Sequence, residues 1–373
     1  MADKVVENRL AICRQRRGLS AAALAKSAGV SRQTIYAIES GSYVPNTAVA
    51  LRLARVLETG VEEIFSLRDA PSSPQISEKV TLLPHAERAR AGDPVRLCRV
   101  DRHMIATLAA PVPWWLPTAD GALDRADRSG KATARLFDAE SGAGNAILVA
   151  GCDPGISVLA RHLQRGGVEL VVAQRNSSQA LELLKRGVIH VAGTHLRDDA
   201  SGESNLPAIQ RLFARNSVAV ISLALWEAGI VVARGNPKAI HSIADFARPD
   251  VGVVNREAGA GSRLLLDEHL RKLGLGRAQV HGYQRIAGGH LPASWEVRAG
   301  EADACIATRA SARVFGLDFI PLASERYDLA IRRQHLDHPP IQALLDTLSR
   351  GAYRRELEGL GGYDANSAGR RLL

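Results

Sequence analysis

From residue 146 the chain alternates short apolar runs with helix-like segments: AILVAG then ISVLARHLQRG, VELVVA then SSQALELLKRG, VIHVAG, and later DVGVVN then SRLLLDEHLRKLG. No other feature limits the fold as much. Strands covered on both faces read as unbroken apolar runs, and parallel strands need a crossover between them, usually a helix. The alternation therefore predicts parallel α/β sheets.

After each run comes a turn of small or polar residues: Gly151-Cys152-Asp153-Pro154-Gly155, Arg175-Asn176-Ser177-Ser178, Gly193-Thr194-His195, and the stretch from Asn255 to Arg263. Ligands of open α/β sheets bind outside the carboxyl ends of the strands, where these turns lie. Ser157, Ser177, Ser178, Thr194 and Ser262 stand near helix starts, whose free N–H groups and partial positive charge suit an oxyanion. Arg256 and Arg263 can add charge-assisted bonds, and Gly259 and Gly261 let the backbone approach an anion. Asp153, Asn176, His195, Asn255, Arg256, Gly261, Ser262 and Arg263, with the hydroxyls of Ser157, Ser177 and Thr194, form the expected ligand set.

Catalytic arrangements fit less well. His195, Asp198 and Asp199 lack HxxxH or HExxH spacing, so no metal is expected, and His195 reads as a turn cap. Cys152 has no His partner implied by sequence and reads as pocket lining. GAGNA at 142–146 precedes a strand, the wrong side for a dinucleotide loop. Binding without turnover is the expectation, with no catalytic residue and no cofactor.

A length of 373 residues allows two or three domains, and 46% hydrophobic residues allow sizeable cores. Cys13, Cys98, Cys152 and Cys305 lie far apart, which argues against a disulfide scaffold or a zinc ribbon. The first residues lack the apolar core of a signal peptide, and no uncharged apolar run is long enough to span a membrane. The expectation is a soluble cytoplasmic protein with no membrane partner. Its net charge of +9 suits a polyanionic partner.

In the first 67 residues the pattern is helical. Residues 4–16 are amphipathic, and Gly18 ends that segment. Ser20 is a natural N-cap for AAALAKSAG, Gly29 closes it, and Ser31 caps RQTIYAIESG, which stops at Gly41. Two short helices meeting across a glycine turn make a helix-turn-helix, whose second helix enters the major groove. Arg32, Gln33, Thr34 and Tyr36 open that helix with side chains that read base edges. Another amphipathic helix and a short turn ending at Phe65 complete five helices.

RQRRGLSAAALAKSAGVSRQTIYAIESGSYVPNTAVALRLARVLETGVEEIF resembles the Cro/repressor (XRE) family through the spacing of Leu24, Ala25, Gly29, Val30, Ser31, Ile35, Ile38, Glu39, Gly41 and Pro45. The resemblance implies that Ser20, Ser31 and Gln33 hold phosphates or bases, with Tyr43 and Asn46 near the DNA backbone. Arg16 and Arg17 complete the expected DNA-contacting set. It also places Glu39 at the end of the third helix, paired with an arginine of the first.

Residues 68–80, rich in Pro and Ser, read as a linker. Residues 81–140 read as a small β-containing connecting segment, with strands at VRLCRVD and TARLFDAE and a packing plug at Trp114 and Trp115. The domain from 141 to 373 resembles the periplasmic-binding-protein-like domain found behind helix-turn-helix modules and at the end of some molybdopterin-biosynthesis proteins. GCDPGISVLARHL, VAGTHLRDD, VVNREAGAGSRLLLDEHL and GEADACIATRASARVFGLDFIPLASERYDLAI carry it. Two departures are GAGSR, with Ser where Thr is common, and AGGHL at 287–291, which lacks a common Thr before the His.

The resemblances imply a multidomain chain: an all-α five-helix domain followed by a two-lobed α/β domain of type II. Chain crossings would lie near 220–230 and 308–318, and the ligand would be molybdate, tungstate or a molybdenum-cofactor species. The expected protein is a one-component regulator that binds double-stranded operator DNA as a homodimer and senses a small anion. The alternatives are a molybdenum-cofactor biosynthesis enzyme or carrier localised by its helix-turn-helix, and the same regulator responding to a sulfur oxyanion or an organic metabolite.

Overall fold

The computed structural model describes residues 5–68, 77–84, 89–109, 118–127, 129–138, 145–198 and 201–373. They form two compact units, Met1–Ile76 and Ser77–Leu373. Among the described residues no helix is long and apolar enough to cross a membrane.

The first unit holds α1 (Leu10–Arg16), α2 (Ala21–Ala28), α3 (Arg32–Glu39), α4 (Thr47–Leu57) and α5 (Val61–Ile64). Ser20, Ser31 and Asn46 cap α2, α3 and α4, each accepting from the N–H three residues on. Gly29 ends α2 in the left-handed conformation at φ 67°, which glycine adopts without a Cβ penalty. Leu10, Leu24, Ile35, Ile38, Leu53, Leu57 and Ile64 fill the core. The unit is not all-α, however. β1 (Val5–Asn8) and β2 (Phe65–Arg68) pair antiparallel, Val5 opposite Arg68 and Asn8 opposite Phe65. The stretch read as one helix from residue 4 thus begins as a strand, because its partner lies some sixty residues away, where helical periodicity cannot register it.

The second unit opens with a closed barrel of strand order β3-β5-β4-β6-β7. Its members are β3 (Ser77–Leu82), β4 (Pro94–Val100), β5 (His103–Leu108), β6 (Gly121–Ala126) and β7 (Lys131–Leu136). Residues 77–80, read as linker, are therefore strand, and the connecting segment is a barrel with its own interior of Val80, Val95, Leu97, Met104, Leu123 and Ala134. Leu83, Cys98, Val100 and Ile105 instead join a core with Leu148, Val171 and Ala180. Arg96 ties Asp120 to Glu169, and Arg175 donates to the Pro84 carbonyl, so the barrel is anchored to the sheet that follows. Trp114 and Trp115 lie outside the described residues.

That sheet has nine strands in the order β13-β12-β14-β11-β15-β10-β8-β9, with β16 (Tyr363–Asp364) pairing with β11. One half holds β8 (Ala146–Gly151), α6 (Ile156–Gln164), β9 (Glu169–Gln174), α7 (Ser177–Arg186), β10 (Val191–Thr194) and α8 (Leu206–Leu212). The other holds β12 (Val253–Arg256), α9 (Gly261–Lys272), β13 (Ile286–Ala287), α10 (His290–Arg298), β14 (Ala304–Thr308) and α11 (Arg309–Val314). Within each half the short strands are parallel. Two long strands, β11 (Val218–Val232) and β15 (Asp318–Arg332), run antiparallel through both halves. They make the sheet mixed rather than purely parallel. The second crossing is β15; residues 308–318, expected to cross, form mostly α11 and its turn. α12 (Pro339–Ser349) and α13 (Gly351–Gly359) return to cover the first half.

Candidate functional site

Two surfaces carry the chemistry, one on each unit. On the first, α3 presents Arg32, Gln33 and Tyr36 to solvent, while Ile35 and Ile38 face the core. Capping by Ser31 holds the start of the helix: its Oγ accepts from Thr34 N at 3.0 Å and lies 2.8 Å from Thr34 Oγ1. Arg32 donates to the Tyr36 hydroxyl at 2.8 Å, so the two extend from the helix as a pair. Tyr43 is also exposed. Asn46 caps α4 through its side chain, which gives it a structural duty. Arg17 is paired with Glu58 at 2.7 Å, whereas Arg16 is exposed. Glu39 does pair with an arginine of the first helix, accepting from Arg14 Nε at 2.6 Å.

In the second unit the strand-end turns of the two halves converge. Asn176 Nδ2 donates to the Ala258 carbonyl and Ser178 Oγ to the Gly259 carbonyl, both at 3.2 Å, so the two halves touch across the cleft. Gly261, at the start of α9, lies so close to His195 that a Cβ there would come within 2.5 Å of the imidazole ring. Only glycine permits this approach. Behind it, Ser262 Oγ is buried with no protein partner. Arg256 is 1% exposed; its Nε and Nη2 donate to Glu257 at 3.0 and 3.1 Å, and its Nη1 is buried and unpartnered. Buried donors without partners are costly, on the order of 1–3 kcal/mol each, so these two mark a candidate ligand site.

His195 lies at the centre of the site and does not cap a turn. Its backbone N–H donates to Ser177 Oγ at 3.0 Å and its Nδ1 to Glu325 Oε2 at 2.8 Å. Its Nε2 lies 3.6 Å from Cys152 Sγ. Trp226 donates its indole N–H to the same Glu325 oxygen at 3.3 Å and packs edge-on against His195. Burial works against a charged His195, but the bond and charge of Cys152, then those of Glu325, outweigh it and raise the imidazole to about 10. His290, at the start of α10, is fully buried with both ring nitrogens unpartnered. Burial, with the charges of Arg256 and His195, pushes it well below the usual histidine range, so it stays neutral. Asp153 accepts from Gly155 N and the Tyr363 hydroxyl through Oδ1, while burial lifts its carboxyl to about 6.

Of the expected ligand residues, Asp153, Asn176, Ser177, Thr194, His195, Arg256, Gly261 and Ser262 come together, though Thr194 is engaged with Asn205 at 3.2 Å. Three do not offer free groups. Ser157 is exposed and donates to the Pro154 carbonyl. Asn255 ties Tyr283 O to Arg256 N. Arg263 lies over the Tyr283 ring and donates to the Arg256 carbonyl. Asp198 pairs with Arg211, and Asp199 lies outside the described residues. Residue reasoning missed Trp226, His290 and Glu325, and it missed the histidine beside Cys152. His290 had a signal in AGGHL; Glu325 and Trp226, on the crossing strands, had none.

A pocket of about 100 Å³ borders His195, Arg197, Ser204, Glu325 and Arg326. A larger one of about 490 Å³ lies by Arg354 and Arg370, but Arg354 there is bonded to the carbonyls of Leu348 and Ala368. Of the convergent groups, His195 lines the smaller pocket.

Comparison with known proteins gives two family matches: a PBP superfamily domain over residues 160–349 and a helix-turn-helix domain over residues 8–67. An uncharacterized protein of Bacillus subtilis, YvgK, is 32% identical over 228 residues, 61% of this chain and 73% of its own length. An uncharacterized HTH-type transcriptional regulator of Methanocaldococcus jannaschii, MJ0272, is 41% identical over 64 residues, 17% of this chain and 97% of its own. Among solved structures, a phosphate ABC transporter substrate-binding protein from Clostridium perfringens, described as putative and bound to phosphate, aligns with a TM-score of 0.44 at 12% identity, covering 59% of this chain and 98% of that one. The two-lobed sheet, the strand-end turns gathered between its halves and the family match agree: the chain belongs to the PBP superfamily-domain family and carries an N-terminal helix-turn-helix domain.

Proposed function

We propose that the protein is a one-component transcriptional regulator: a homodimer that binds operator DNA through α3 and senses a small anion between the two halves of its second unit. The observation that carries the sensing half is the pair of buried, unpartnered donors, Arg256 Nη1 at the end of β12 and Ser262 Oγ at the start of α9. A guanidinium and a hydroxyl beside a helix N-terminus form an oxyanion site. Molybdate, tungstate or a molybdenum-cofactor species is the ligand class proposed.

Arg32, Gln33, Thr34 and Tyr36 read bases, Arg16, Arg17, Ser20 and Tyr43 contact the backbone, and two α3 helices meet half-sites about 34 Å apart. The ligand, binding the closed cleft more tightly than an open one, shifts the population of the closed form and with it operator affinity. The protein binds and does not turn its ligand over.

Operator binding followed by fluorescence anisotropy, with molybdate, tungstate, sulfate and phosphate as effectors, tests this. Arg32→Ala with Gln33→Ala is expected to abolish specific DNA binding. Ser262→Ala is expected to leave DNA binding intact and remove the effector response. An effector response unchanged in Ser262→Ala and in Arg256→Gln would overturn the assignment of the site.

A further inference from the structure

Cys152, His195 and His290 leave the chain at three strand or helix ends, yet their Sγ and ring nitrogens all lie within 4.8 Å of one another. They are 7%, 2% and 1% exposed. We propose that these three side chains form a site for a borderline-soft transition-metal ion of the zinc(II) class, which staples the cleft shut. The proposal goes beyond the anion reading and does not depend on it.

Four observations support the site. Zn–S and Zn–N bonds of about 2.3 and 2.0–2.1 Å at a tetrahedral angle set the two donors about 3.6 Å apart. Cys152 Sγ and His195 Nε2 are 3.6 Å apart. Second, the Nδ1–H of His195 is bound to Glu325, the carboxylate–histidine arrangement that orients metal-bound imidazoles, and this turns Nε2 toward Cys152. Trp226 fixes that carboxylate in turn. Third, His290 is buried with both ring nitrogens unpartnered, and its ring is held edge-on by Trp226 at 5.1 Å. An imidazole so placed has a free lone pair and no protein group to meet it. Fourth, a pocket of about 100 Å³ borders His195 and Glu325, one of the three donors and the carboxylate that orients it.

One thiolate with two imidazoles selects zinc or its neighbours over magnesium and calcium, which take oxygen donors. The Arg256 guanidinium also lies beside Cys152, and Glu257 pairs with it. Because Cys152 and His195 belong to one half of the sheet and His290 to the other, the bound ion joins the halves.

The experiment uses the full chain without an affinity tag, stripped with chelator and titrated with cobalt(II) and zinc(II). Expected are one ion per chain, a thiolate-to-cobalt absorption band with tetrahedral d–d bands, and displacement of cobalt by zinc. Cys152→Ser and His290→Gln, checked for fold by circular dichroism, are expected to lose the band. Glu325→Gln weakens affinity about 10- to 100-fold, and Cys13→Ser changes nothing. If Cys152→Ser does not fold, the wild-type band itself reports the thiolate, and His290→Gln carries the test. Absence of the band, or a band unchanged in His290→Gln, overturns the proposal. Molybdate and phosphate are assayed separately on metal-free protein. An anion response without metal uptake overturns this inference and leaves the proposed function intact. Metal uptake without an anion response upholds the inference and removes the anion.

Discussion

Asn205 shows how much one residue can hold. It adopts a positive φ of 58°, accepts from Leu196 N and Thr194 Oγ1, and donates to Arg326 O and Asp328 Oδ2. It thus ties the turn after β10 to β15 beside the site. Asn205→Ala removes all of these bonds and leaves Asp328 buried, so a loss of about 2–4 kcal/mol is expected in denaturant unfolding of the second unit. His190 is a second such residue. Its Nδ1 accepts from Leu148 N, its ring packs against His335 and His338, and His335 is paired with Asp101 of the barrel. Burial, then the charges of His335 and His338, push His190 down to about 4. The unfolded chain, with an ordinary histidine near 6.5, therefore binds more protons between those values, and stability falls as pH drops through that window. The loss is on the order of 1–3 kcal/mol. In His190→Asn, whose amide oxygen can replace the Nδ1 acceptor, melting temperatures from pH 7 to 4 are expected to fall less steeply.

Among the elements, the start of α9 matters most to the site. Three positions there act together: Gly261 lets the helix reach His195, Ser262 buries a hydroxyl without a protein partner, and Arg263 turns back to hold the Arg256 carbonyl. Gly261→Ala places a methyl 2.5 Å from the His195 ring and 2.6 Å from its carbonyl, and backbone cannot yield cheaply. The helix must withdraw, so the variant is expected to stay folded by circular dichroism but lose any ligand-induced rise in melting temperature. A rise equal to wild type would show that this helix start is not part of the site.

At the scale of the whole molecule, the barrel and the nine-stranded sheet share a core and the first unit has its own. Calorimetry is expected to give two transitions, one for residues 1–68 and one in which barrel and sheet melt together. A fragment starting at Ser77 should reproduce the second. A separate barrel transition would contradict the shared core of Leu83, Cys98, Val100 and Ile105 with Leu148 and Val171.

What the residues determine alone is what is local. The helix caps Ser20, Ser31 and Asn46, the left-handed Gly29, and the α3 face of Arg32, Gln33 and Tyr36 all follow from a few neighbouring positions. So does the alternation of buried strands and helices that makes the family legible. Polar strand-end turns mark where a ligand belongs, because strand ends and helix starts expose free backbone groups wherever they occur. Tertiary structure decided what depends on distance in sequence. It paired Val5–Asn8 with Phe65–Arg68, closed five strands into a barrel, and made β11 and β15 the shared spine. It turned the hydroxyl of Ser157 and the side chains of Asn255 and Arg263 to structural partners, and brought Cys152, His195, His290 and Glu325 together from four elements. No spacing rule can register such a cluster, since its geometry is set by the packing of the two halves.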